Sequence, residues 1–127
     1  IFWHLGQALM VISVAGDSDA RILPDIYHMF RGGSDFNSLE MINGDLIDIF
    51  HLNDYTDLKP REQQSDEDRV YPGDGEAPIE KVLQFLNKSE REKVLSLELF
   101  NKNYWKEDAM IVAKTGLEKM KTLVSKS

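Results

Sequence analysis

The chain has 127 residues, of which 42% are hydrophobic and 29% charged, with a formal net charge of −7 and no cysteine. That length and mixture suit one domain with a buried core, spanning 1–127, and not a disordered chain. The acidic balance argues against a nucleic-acid surface, which needs clustered Lys and Arg, and the missing cysteines exclude a disulfide framework and any thiolate metal site.

No apolar run approaches the roughly 20 residues that cross a bilayer, so no membrane partner is expected. The apolar stretch 9–14 lacks the basic flank of a signal peptide, although Ala15 and Gly16 are small enough for a cleavage site. A cytoplasmic location is the expectation. Basic residues outnumber acidic ones only in 114–126, interleaved with apolar positions, which reads as a solvated helix face. The chain begins at Ile1 rather than Met, inside an expected helix, which suggests a processed or truncated product.

In chain order, residues 2–14 are rich in helix formers and end at the turn Ala15-Gly16-Asp17-Ser18. Residues 21–25 form a short extended run ending at a charge. Residues 31–35 are loop, with Ser34 or Asp35 as a cap for a helix through about Met41, closed by Asn43-Gly44. Residues 46–51 are the clearest strand, with Ile47, Ile49 and His51 on one side and Asp48 and Phe50 on the other. A long polar stretch, 53–77, carries Pro60, Pro72 and a Gly-Asp-Gly turn; loops this long often serve as lids or binding loops. Pro78 starts a helix through about Lys88 whose apolar face holds Val82, Leu83, Phe85 and Leu86. Residues 94–98 form another strand. Residues 104–124 form a last amphipathic helix, with Met110, Ala113, Leu117, Met120 and Leu123 at helical spacing. This alternation of strands and helices argues for parallel βα units.

Each of the three strands ends in a residue able to hold a metal or move a proton: Asp25, His51 and Glu98. In parallel α/β folds the C-terminal strand ends converge, so the three point into one cleft. Two carboxylates and an imidazole suit one divalent ion of the Mn, Mg, Co or Zn kind. Any one of them alone is more often a helix cap, and it is the recurrence at three successive strand ends that points to chemistry. His28 reads either as a substrate-side group or as a loop histidine. Arg69 reads by default as a surface ion pair. His4 reads as inert, Gly73 and Gly75 as a backbone turn, and Tyr104 and Trp105 as packing for the last helix.

The motifs FHLNDY (50–55), PRE (60–62), DRVYPGDG (68–75), SLELFN (96–101), Tyr104-Trp105 and TGLEK (115–119), with RGGSDF at 31–36, resemble the sugar-phosphate isomerase/epimerase family of the xylose-isomerase-like TIM barrels. The likeness runs from about Ala20 onward and more loosely through the first helix. It implies an α/β fold in which this chain supplies the C-terminal part, about three βα units, of a (β/α)8 barrel. It also implies a divalent-metal isomerase or epimerase for a small-molecule sugar, ketose or related polyol, working by proton transfer through a metal-stabilised enediolate. By that resemblance Asp25, His51 and Glu98 are metal ligands, and Glu98 doubles as the base. His28 and Arg69 face the substrate. A further Glu ligand from the preceding strand falls before Ile1.

Two other readings compete. An endonuclease-IV-like phosphodiesterase shares the superfamily, but its Asp-Arg-His element is Asp68-Arg69-Val70 here, and valine binds no zinc. A catalytically inert barrel fragment is the third. Three strands cannot close a barrel, so the chain is expected either to lack the N-terminal half of the barrel or to self-associate as a homo-oligomer.

Overall fold

The computed structural model describes residues 3–127; Ile1 and Phe2, where the first expected helix was to begin, lie outside the described residues. Helices start where the sequence supplies a cap. His4 Nδ1 accepts the Gly6 N–H at 3.1 Å and Gln7 closes a capping box for α1 (Leu5–Ala15). Asp25 Oδ1 accepts the His28 N–H at 3.0 Å and starts α2 (Ile26–Gly32). Pro78 precedes α3 (Ile79–Leu86), where its missing N–H costs nothing. Asp108 caps α4 (Ala109–Val124) through the Met110 and Ile111 N–H groups.

Strands are shorter than their apolar runs suggested. β1 (Ile49–His51) pairs in parallel with β2 (Val94–Ser96), matching Ile49 to Val94, Phe50 to Leu95 and His51 to Ser96. The 21–25 segment joins β1 only through two parallel bridges, Ile22 with Ile47 and Asp25 with His51. Between those bridges three steps on one side face four on the other, and Pro24 has no N–H to donate, so a continuous ladder cannot form. The strand expected at 21–25 is therefore a pair of tethers.

Three helical expectations also shift. The helix capped by Asp35 is a 3-10 helix, Phe36–Met41, and Ser34 instead bonds the Leu5 N–H at 2.9 Å. The last helix is divided into a 3-10 turn, Tyr104–Lys106, and α4, because Asp108 restarts the ladder. Met110 and Leu117, expected on its apolar face, are exposed. The packed face runs instead through Gly116, Met120 and Leu123, and at Gly116 an added Cβ would lie 2.2 Å from Leu97.

Sheet and helices meet in one apolar cluster that includes Ile26, Ile47, Phe50, Leu52, Val82 and Leu86. Phe50 thus faces the helices, and His51 faces the other side. That other side also carries exposed apolar residues: Leu23 is 51% exposed, Ile49 39% and Val94 56%. No helix among the described residues is long and apolar enough to cross a membrane.

The long loop is ordered around one buried carboxylate. Asp54 accepts N–H bonds from Tyr55 and Ala77 at 2.8 Å and from Gly73 and Gly75 at 3.0 Å, while its backbone pairs with Val70. Burial pushes the Asp54 carboxyl above the usual range, and the four N–H donors pull it back. Gly73 has φ +88° and a Cβ at Gly75 would lie 2.1 Å from the Tyr55 carbonyl, so the expected backbone turn needs both glycines. Asp54→Asn presents an NH2 to donors that need an acceptor. It is expected to lower the unfolding free energy by about 2 kcal/mol, read as a shift in urea midpoint at constant slope. An unchanged midpoint contradicts the loop's dependence on Asp54.

Candidate metal centre

Residues paired across parallel strands share a face, and so do residues two apart along one strand. Asp25 lies opposite His51, His51 opposite Ser96, and Glu98 two residues beyond Ser96. The three expected residues therefore meet: one ligand atom from each of Asp25, His51 and Glu98 lies within 4.8 Å of the others. His51 Nδ1 is 3.2 Å from Asp25 Oδ2 and 3.4 Å from Glu98 Oε2. A tetrahedron of ligands about 2 Å from its centre has edges of roughly 3.3 Å, so the two His51 spacings are of the size a small divalent cation needs. Asp25 is both a helix cap, through Oδ1, and a member of the cluster, through Oδ2.

Arg69 enters the same cluster, and the surface ion pair expected for it is not what forms. Its side chain is 1% exposed. Nη1 reaches Asp25 Oδ2 at 3.2 Å and Glu98 Oε2 at 2.7 Å; Nη2 lies 2.6 Å from Asp66 and 3.1 Å from His28 Nε2. Its guanidinium sits over the Tyr27 and Phe100 rings, 5.0 and 5.1 Å from their centres. Burial opposes the Arg69 charge, but Asp25, Asp66 and Glu98 together hold its pKa above the ordinary value. Arg69 balances only one of the two ligand carboxylates, and the remaining negative charge suits a cation. His28 is exposed at the rim of this cluster.

Four contributors escaped the sequence reading. Asn53, Asp66, Phe100 and Asn101 all look like loop residues. Yet Asn101 Nδ2 donates to the Arg69 carbonyl at 3.0 Å, and Asn53 Nδ2 to Asp25 Oδ2 at 3.0 Å. Their shared signal was adjacency, since Asn53 lies two residues past His51 and Phe100 and Asn101 lie two and three past Glu98. Asp68, the residue on which the phosphodiesterase reading drew, pairs instead with Lys59 at 2.5 Å and the Ser65 N–H at 2.8 Å. Tyr104 stacks on Tyr71 with ring centres 4.3 Å apart, whereas Trp105 is exposed.

A model of the family described as xylose isomerase-like TIM barrel matches residues 1–123. Inosose isomerase of Bacillus velezensis is 33% identical over 120 residues, covering 94% of this chain and 42% of that protein. Inosose isomerase of Bacillus subtilis is 31% identical over 120 residues, covering 94% and 43%. The chain thus spans about two fifths of the length of the curated relatives it matches. Among solved structures, the IOLI protein with a bound zinc atom superposes with a TM-score of 0.89 at 30% identity, covering 98% of this chain and 44% of that one. A xylose isomerase domain protein from Alicyclobacillus acidocaldarius gives a TM-score of 0.79 at 21% identity, covering 95% and 43%, and supports the fold alone.

Two outcomes follow from the cluster's electrostatics. Arg69→Met leaves two adjacent carboxylates without a countercharge and is expected to cost about 3 kcal/mol of stability in urea denaturation. Arg69→Lys should recover only part of it, because one ammonium cannot replace the planar fork. Equal midpoints in all three proteins would contradict the ion-pair network. Tyr27, whose hydroxyl donates to the Ser65 carbonyl at 2.5 Å, is pushed up to about 12 by burial from an ordinary 10.0. A pKa raised on folding contributes stability that is complete below pH 10 and is lost as pH rises through 12. Tyr27→Phe is expected to flatten the fall in unfolding free energy above pH 10, and an unaltered slope would contradict the assignment.

Proposed function

Because the chain belongs to the xylose isomerase-like TIM-barrel family, we propose that it serves a metal-dependent isomerase or epimerase of polyhydroxy ketones, with Asp25, His51 and Glu98 holding one divalent cation. The observation that carries this reading is the convergence of those three side chains, from the bridged 21–25 segment, the end of β1 and the stretch just past β2, on one small volume. The zinc bound in the IOLI structure supports a cation at such a site, and the mixed oxygen and imidazole donor set also admits Mn, Mg or Co. The inosose isomerases favour a ketose or keto-inositol as substrate.

When bound, the cation supplies Lewis acidity at the substrate carbonyl, which makes the neighbouring C–H acidic enough for a carboxylate. The two carboxylates are placed for different tasks. Asp25 is 3% exposed and tied through Oδ1 to α2, which suits a fixed anchor. Glu98 is 36% exposed, which suits a base that must reach substrate. Glu98 takes the proton from the carbon next to the carbonyl. In isomerisation it returns that proton to the former carbonyl carbon while the hydroxyl proton passes to the former carbonyl oxygen; in epimerisation it keeps the proton while a second acid protonates the opposite face of the same carbon. Arg69 Nη1, 2.7 Å from Glu98 Oε2, orients that carboxylate. His28, exposed at the rim, is placed to meet the substrate oxygens, and the enclosed Arg69 behind it supplies positive charge close to where negative charge develops.

The same reading takes 1–127 as one domain forming the last βα units of a barrel. Leu23, Ile49 and Val94 line its open inner face, so further strands or a second copy would cover it. The test is solvent exchange. With Mn2+ in D2O, the purified chain is expected to wash deuterium into the position next to the carbonyl of an inosose or a ketohexose, followed by proton NMR. EDTA should stop the exchange, and Glu98→Gln should slow it about 1,000-fold. Exchange that survives Glu98→Gln contradicts the assignment of the base.

A further inference from the structure

Asn53 is 0% exposed, two residues beyond His51 on the same chain segment. Its carboxamide bonds to both of the other segments that carry a site residue. Oδ1 accepts the Tyr27 N–H at 3.0 Å, at the start of α2. Nδ2 donates to Asp25 Oδ2 at 3.0 Å and to the Glu98 carbonyl at 3.4 Å. With His51 just upstream, one rigid planar group links all three strand ends. The amide orientation is fixed by its partners: reversed, it would set an oxygen against a carboxylate and an NH2 against an N–H.

We propose that Asn53 is the positioning residue of the metal centre, turning Asp25 Oδ2 toward the cation and holding the Glu98 strand end level with it. The inference rests on the metal-centre reading above. Asp25 Oδ1 is held by the His28 N–H, and Asn53 Nδ2 joins Arg69 Nη1 and His51 Nδ1 at Oδ2; when a cation draws Arg69 away, the Nδ2 bond still keeps the carboxylate from rotating. Outer partners of this kind typically change metal affinity by about 10–100-fold when removed. A purely structural Asn53 would matter only as the acceptor for Tyr27 N–H.

Asn53→Asp separates the two roles. It keeps an oxygen for the Tyr27 N–H and puts a second oxygen where Asp25 needs a donor. Co2+ is titrated into the full chain and the variants, followed by its visible d–d absorption. Asn53→Asp is expected to weaken Co2+ binding by about 10–100-fold and to shift the absorption band, while the far-UV circular dichroism stays that of the wild type. If the wild type binds Co2+ and Asn53→Asp binds it equally with the same spectrum, the inference fails and the metal centre stands. A wild-type chain that takes up no Co2+ removes the metal centre, and this inference with it.

Discussion

Parallel pairing sets Asp25 opposite His51 and His51 opposite Ser96, and the rest of the site follows from that alignment. A slip of one residue in either pairing would turn one member of the cluster toward the helices. The alignment is anchored from behind. Phe50 is fully buried in the apolar cluster, so β1 has no freedom to shift without exposing it; Ile47, just before β1 and expected on the His51 side, is buried in the same cluster. Core packing on one face therefore fixes polar geometry on the other.

The electrostatics of the cluster are braced by the loop that follows β1. Consecutive residues in extended chain point to opposite sides, and Asn53 and Asp54 show the consequence. Asn53 turns inward to Asp25, Tyr27 and Glu98, while Asp54 turns outward and gathers the returning loop through the Gly73, Gly75 and Ala77 N–H groups. That return delivers Arg69 to the carboxylates, where the Tyr27 and Phe100 rings cover it and Asn101 holds its carbonyl. The 98–101 stretch grips Arg69 through a carboxylate, an aromatic face and an amide in turn. An arginine enclosed in this way stays beside the carboxylates even where one of its bonds gives way to a ligand.

Much of this was legible in the sequence. The start of α3 was readable because Pro78 acts within its own neighbourhood, and the three site residues because strand direction decides where they gather. α2 behind Asp25 and the restart of the last helix at Asp108 were not read, since a lone Asp serves equally as a cap or a strand-end group. Strand lengths were not legible: an apolar run marks burial, whereas a ladder needs partners in register, and Pro24 with the offset between the Ile22 and Asp25 bridges breaks one. Arg69 was misjudged because a charge between Asp68 and Val70 looks solvated until the return of the loop is known. Asn53 was missed because its bonds span 26 to 45 positions along the chain. The apolar face of α4 was drawn only in part: Met120 and Leu123 pack as expected, Met110 and Leu117 do not, and Gly116, with no hydrophobic side chain to count, is where the helix comes nearest Leu97.

Family membership and site geometry together leave one central claim, that a single cation is shared by three strand ends. The most direct measurement is an anomalous difference map from crystals of the chain grown with Mn2+ and measured near the manganese edge. The account predicts one strong peak about 2 Å from each of Asp25 Oδ2, His51 Nδ1 and Glu98 Oε2, displacing Arg69 Nη1 from one or both carboxylates. A map with no peak among these atoms at saturating Mn2+, and the Arg69 bridge intact, would contradict it.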